Sequence, residues 1–341
     1  MDHIATGSSD DRVELFRNTG AQMALQAALV EKDFWVCWTL NHLFDIEHIR
    51  DMLTFKGGTS LSKVFHVINR FSEDIDLAID YAPLGFAGSR DPASPMSRSK
   101  RERLLNEMMV ACREYIAGPL INALRERFTN ILNDPTSWSL TISEDDPNTI
   151  EFAYPSTDIN SLSYIKPVIL LELGTHAEII PSDHCMITPF AAEEFPHVFE
   201  RSTCSVRTIT AERTFWEKAT ILHAEHHRDP SKPFPRNHAR HYYDLAMLSQ
   251  SAVCESALND IELLYKVVEH KKKFYYAAWA RYDLAAPGTL ALIPHDHRMN
   301  ELQRDYNAMA VMIFSDPPRL NDILDNLAEL EKQINTSTCD H

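Results

Sequence analysis

The stretch that most restricts this chain is 55–80, because it forces three local structures into one short span. An apolar run at 52–55 enters a turn at Gly57 and Gly58. Leu61, Val64, Phe65 and Ile68 then recur at i, i+3, i+4 and i+7, the period of a short amphipathic helix. After it, Asp74 and Asp76 alternate with Ile75 and Leu77, the pattern of a strand. Two glycines let backbone approach a ligand, and the first-turn amides at Thr59 and Ser60 lack helical acceptors, which makes an anion site. Side chains two apart on a strand share a face at roughly 6.5–7 Å of backbone, so two carboxylates project together. Such a pair suits divalent metal, and phosphate cradle plus metal carboxylates implies a nucleoside triphosphate. Either feature alone is commonplace: a Gly-Gly is usually a turn, and an Asp-x-Asp a solvated strand end.

Joined in this order they match a nucleotidyltransferase pattern. The strings Lys56-Gly57-Gly58-Thr59-Ser60-Leu61-Ser62-Lys63 and Arg70-Phe71-Ser72-Glu73-Asp74-Ile75-Asp76-Leu77 resemble one branch of that superfamily, the AbiEii/AbiGii toxin family. The resemblance implies an α+β fold: a mixed β-sheet flanked by helices, followed by a C-terminal helical bundle. It also implies NMP transfer from an NTP to an acceptor hydroxyl with Mg²⁺ or Mn²⁺, by a toxin of a toxin–antitoxin or phage-defence system. Gly57, Gly58, Thr59 and Ser60, aided by Lys63 and Arg70, are expected to hold the triphosphate, and Asp74 and Asp76 the metal. The implied acceptor is RNA, notably the tRNA 3′ end, and the implied partner an antitoxin. A protein hydroxyl or an aminoglycoside-like molecule stays open as acceptor. So does a nucleotide-binding regulatory module without turnover, or a structural partner protein.

Composition fits a globular chain: 341 residues, 44% hydrophobic and 24% charged. No run is long enough to span a membrane, and the N-terminus lacks a secretion signal's basic and apolar regions. Six scattered cysteines without a Cys-x-x-Cys read as reduced thiols, which with the missing signal gives a cytoplasmic expectation. A net charge of −16 opposes indiscriminate nucleic-acid binding but leaves room for a selective, locally basic surface.

Upstream, 13–44 is helical. Glu31, Lys32 and Asp33 interrupt its longer segment and read as a solvated edge, although the family carries a similar triplet there. Downstream, 97–128 reads as a helix broken at Gly118-Pro119, and strands are expected at 138–142, 149–154 and 166–173. Glu172 lies within the last, and a carboxylate inside an apolar strand is rare unless paired or metal-bound, making it the candidate third metal carboxylate.

From 208 the chain is helical, which sets the expected domains at 1–206 and 207–341, with the second completing the active-site cleft. Thr210 is the expected N-cap of the next helix and Glu212 sits in its first turn. Lys218 lies at the edge of that helix's apolar stripe, where it either snorkels outward or enters a site. The resemblance favours the second: Lys218 on the triphosphate, with Arg240 and Asp244 from a motif opening the following helix. His241 departs from that motif, which usually has Asp there. Five histidines between 223 and 241 invite a zinc site, but no Cys joins them, and a mobile loop beside the site is the simpler reading. The run His270-Lys271-Lys272-Lys273-Phe274-Tyr275-Tyr276 reads either as a nucleic-acid contact or as a helix with solvated lysines and core aromatics, the latter slightly favoured.

Overall fold

The computed structural model describes residues 1–72, 74–157, 165–314 and 316–336; Glu73 of the quoted motif and Cys339 lie outside them. The chain forms two compact units, Met1–Val64 with Ser72–Ile209, and Phe65–Phe71 with Thr210–His341.

The first unit is built on seven strands: β1 (Leu53–Lys56), β2 (Ile75–Ile79), β3 (Ser139–Ile142), β4 (Thr149–Ala153), β5 (Val168–Gly174), β6 (Ser182–Ile187) and β7 (Cys204–Ile209). They form one sheet in the order β3-β4-β5-β2-β1-β7-β6. β2 runs parallel to β5, and β1 parallel to β7; the other neighbours are antiparallel. The sheet is therefore mixed, and with its helices gives the α+β architecture that the sequence implied. Sequence reading missed β6 and β7, because Asp183, His184, Ser205 and Arg207 break up their apolar pattern.

One face of the central strands is apolar. Leu53 and Phe55 on β1, Ile75, Leu77 and Ile79 on β2, and Ile169, Leu171 and Leu173 on β5 enter the core. The Ala27–Asp45 helix joins that core through Phe34, Trp35 and Trp38, whose rings pack edge-on to one another and reach Phe152 and Tyr154. The long downstream helix is interrupted where Gly118-Pro119 was expected to break it: Arg98–Tyr115 passes through a wider turn, Ile116–Leu120, into Ile121–Ile131. Proline cannot donate the helical amide bond, so the backbone widens there.

The helix after the Gly-Gly turn is shorter than its apolar period suggested. It begins at Gly57 and ends at Lys63. Phe65–Phe71 belongs to the second unit. There, Phe71 N donates to Met312 O (2.8 Å) and Phe314 N to Asn69 O (2.8 Å), with an Arg70–Ile313 bridge between them. Phe65 and Ile68, whose spacing imitated a longer helix, thus fall in the other unit.

The second unit is helical: Ala211–His226, Ala239–Ser249, Ala252–Asn259, Ile261–Phe274, Met299–Ala310 and Leu320–Thr336. Thr210 caps the first of these, its side chain accepting from Arg213 N as its position predicted. Ala252–Asn259 and Ile261–Phe274 are separated at Asp260, which caps the second.

Candidate active site

Across the polar face of the central strands runs a row set by register alone. Lys56 pairs with Asp76, Asp76 with Glu172, and Glu172 with Thr149, on β1, β2, β5 and β4. The apolar face fixes this register, since a one-residue slip would turn the core side chains outward. Lys56 Nζ lies 3.7 Å from Asp76 Oδ1, both partly open to solvent. Two sequence expectations need correction. Asp74 precedes β2 instead of lying within it. Glu172 is exposed: the alternation along β5 puts it on the face opposite Leu171 and Leu173, so its apolar neighbours do not bury it.

The Gly-Gly turn is fitted to Asp76. Gly57 has φ +81°, and a Cβ built on it would fall 1.8 Å from Asp76 Oδ2. Only glycine leaves room for that carboxylate and adopts that backbone without strain. The hydroxyls that follow face inward. Thr59 Oγ1 donates to Asp74 O at 2.6 Å, and Ser60 Oγ to Gly57 O at 2.8 Å. Both side chains therefore shape the turn and the approach to β2; any contact with an anion falls to the backbone.

Asp76 and Glu172, on neighbouring strands about 4.8 Å apart, form an oxygen donor pair suited to a hard divalent cation. Magnesium is commonly held by one or two carboxylates, with substrate phosphates and water completing its shell. Among the described residues no three His, Cys, Asp or Glu side chains gather as a ready metal cage. Asp76 and Glu172 therefore suit a cation whose shell substrate phosphates and water would complete.

Lys63 does not join this row. It is buried, with Nζ 2.8 Å from Asp33 Oδ1 and 3.8 Å above the Phe190 ring. Asp33 Oδ2 also accepts from Phe190 N at 2.7 Å. Burial works against the Lys63 charge, but Asp33, Cys37 and Glu193 together outweigh it, and the lysine's pKa is raised. This corrects two expectations: Lys63 is not positioned as a phosphate ligand, and Glu31, Lys32 and Asp33 are not a solvated edge. All three are at most 3% exposed. Glu31 Oε1 accepts from Thr157 N, while Asp33 ties the Ala27–Asp45 helix to the Gly57–Lys63 helix. The sequence signal was the charged triplet inside an otherwise apolar helix; its partners, Lys63 and Thr157, could not be read from it.

In the second unit, Arg70, Lys218, Asp244 and His241 converge. Arg70 donates twice to Asp244, at 2.7 and 2.9 Å. Lys218 Nζ donates to Asp244 Oδ2 at 2.8 Å and meets His241 Nδ1 at 3.1 Å. Burial alone would raise the Asp244 pKa, but the Arg70 and Lys218 charges outweigh it and hold the carboxyl far below the usual range. Burial lowers the Lys218 pKa, with Asp244 opposing. His241 is pushed well below its ordinary value by burial, then by Lys218, His238, Arg240 and Arg70, so its imidazole is neutral and Nδ1 can accept from Lys218. Arg70 was expected on the triphosphate; its fork is instead occupied by Asp244. Arg240 is exposed.

Of the five histidines of 223–241, His223 and His226 bind backbone, while His241 meets Lys218. His223 Nε2 reaches Arg281 O at 3.0 Å while its Nδ1 accepts from Ala291 N at 3.1 Å. His226 Nδ1 lies 2.7 Å from Ile293 O. Among the described residues no group of three His, Cys, Asp or Glu side chains gathers there.

Comparisons with known proteins agree with this architecture. No curated protein matches the chain. Among solved structures it is similar to MenT4, a nucleotidyltransferase toxin from Mycobacterium tuberculosis H37Rv, at a TM-score of 0.50 and 15% identity, covering 96% of this chain and 91% of that one. At that identity the likeness shows the fold. The model for "Nucleotidyl transferase AbiEii toxin, Type IV TA system" matches residues 38–326, which span both the Gly57–Asp76 turn and the Lys218–Asp244 pair. The chain belongs to the AbiEii nucleotidyltransferase toxin family of type IV toxin–antitoxin systems.

Proposed function

We propose that the protein transfers an NMP from an NTP to a hydroxyl of RNA, at the tRNA 3′ end, and that this transfer is the toxic act that a cognate antitoxin opposes. The observation that carries the reading is the fit of Gly57 to Asp76, with Glu172 in register beside it. A partly exposed carboxylate beside a glycine that cannot be replaced is a costly arrangement for a strand end with no task.

In this reading the backbone of Gly57, Gly58, Thr59 and Ser60 holds the triphosphate. Asp76 and Glu172, with Asp74, hold Mg²⁺ or Mn²⁺, which when bound stabilises charge on the transferring and leaving phosphates. Asp76, directly or through a water it orients, takes the proton of the acceptor hydroxyl. The freed oxygen attacks the α-phosphorus as the bond to the β-phosphate oxygen breaks, and pyrophosphate leaves with that electron pair. Lys218 and Arg240 are assigned to the negative charge of the nucleotide. Two cations, Arg70 and Lys218, share Asp244, so that cluster carries positive charge in excess and favours an anion. In this reading the activity belongs to the cytoplasm, where a phage-defence role is compatible with arrest of translation.

The test supplies each labelled NTP with Mg²⁺ and, separately, total tRNA, protein or an aminoglycoside. Label in tRNA with pyrophosphate release is expected, and its disappearance in Asp74→Asn/Asp76→Asn, whose fold should stay intact. Label only in protein or in the small molecule would sink the RNA assignment; an active double variant would sink the carboxylate assignment.

A further inference from the structure

Every exposed Phe, Tyr or Trp among the described residues falls within five positions: Tyr275 at 40%, Tyr276 at 53% and Trp279 at 43% exposure. Large aromatic surface in water is unfavourable, and here it is concentrated just beyond the Ile261–Phe274 helix, whose last turn carries Lys271, Lys272 and Lys273. Phe274 and His270, from the same run, are buried and stacked on each other. The run thus divides: two rings anchor the helix and the following rings face out.

Cations accompany the exposed rings. Lys271 Nζ sits 4.6 Å from the Tyr275 ring centre, and the Arg228 guanidinium 4.8 Å from that of Trp279. Within 269–283 four cations (Lys271, Lys272, Lys273, Arg281) stand against two anions (Glu269, Asp283). Lys272 pairs with Glu269, Arg281 with Asp283, and Arg228 with Glu225. Counted along that stretch alone, cations outnumber anions, in a chain of net charge −16.

We infer that Tyr276 and Trp279, with Lys271, Tyr275 and Arg228, form a stacking platform for unpaired bases of single-stranded RNA. Flat rings accept any base by its π-face, while the interleaved cations meet the backbone phosphates. Rings with cations beside them also suit a protein surface; the run of three lysines next to them favours a partner that offers phosphates together with flat bases. The inference rests on the RNA reading above and supplies the surface that would grip the acceptor.

The experiment measures binding of a labelled single-stranded RNA oligonucleotide to the full-length protein by fluorescence anisotropy, without NTP, so that its outcome does not depend on transfer. Tyr276→Ala and Trp279→Ala should each weaken binding about tenfold, the scale of one lost stacking contact. Trp279→Phe should retain most of the affinity, which separates loss of the ring from disturbance of the fold. Lys272→Ala should flatten the salt dependence of binding. In the transfer assay, the aromatic variants should raise KM for RNA while leaving KM for NTP and kcat unchanged. Unchanged RNA affinity in the Tyr276→Ala/Trp279→Ala double variant overturns the platform, whether or not the protein proves to be a transferase. Retained RNA affinity with loss of a protein partner assigns the surface to that partner and also overturns it.

Discussion

The carboxylate row on the sheet and the Arg70–Lys218–Asp244 cluster carry charge in opposite ways. In the row, backbone register places Lys56, Asp76 and Glu172, and each side chain keeps solvent access. In the cluster, side chains place one another, and all three are at most 7% exposed. An exposed carboxylate on a fixed strand can meet a ligand as it stands, and losing it costs the fold little. A buried carboxylate shared by two cations is bound into stability, and only secondarily into chemistry. The residues that the sequence motifs single out are thus divided between groups open to a ligand and groups that hold their unit together.

The largest expected effect separates the two most sharply. Asp244→Ala should destabilise the second unit by about 3–5 kcal/mol, because Arg70 and Lys218 would be left as buried like charges. Urea denaturation measures it, and a loss under about 1 kcal/mol would place the cluster with the exposed row instead. Asp33→Ala should cost a similar amount by stranding Lys63, and Asp33→Leu/Lys63→Met should recover most of it, since an apolar pair of similar volume often replaces a buried ion pair without loss.

Gly57→Ala should act on chemistry beyond its effect on stability. The added methyl displaces Asp76 and the backbone is strained at positive φ, worth about 1–2 kcal/mol, yet transfer should fall at least about a hundredfold, as expected for misplacing a reacting group by about an ångström. Glu172→Gln should change stability by no more than about 0.5 kcal/mol while abolishing or strongly lowering transfer. Normal activity in this variant would remove Glu172 from the site.

The smallest effect concerns pH. His238, pushed down to about 4 mainly by burial, and His241, lower than its ordinary value for the same reason, take up protons more readily when unfolded. Their contribution is full above the ordinary histidine pKa of about 6.5 and is lost as pH falls from there toward the folded values. Thermal melts of the second unit should drop between pH 6.5 and 4, and His238→Gln should shallow that slope.

Local pattern carried much of this molecule. The Gly57-Gly58 turn, the Asp74-x-Asp76 spacing, the Thr210 cap and the apolar strand at 168–174 are written in neighbouring residues, because turns, caps and strand alternation are decided over a few positions. The limits of that reading have a common cause. The 61–68 period looked like one helix because apolar side chains show that they will be buried, not in which core. Lys63 and Arg70 looked like phosphate ligands because a sequence displays charges without their partners, Asp33 and Asp244, which lie 30 and 174 residues away. Glu172 looked buried because its neighbours are apolar, whereas only the sheet decides which face of β5 is covered. The sequence by itself determined the chemistry that this chain is equipped for. Tertiary structure alone decided which charges remain open to perform it, since burial and pairing arise between residues that the chain order keeps apart.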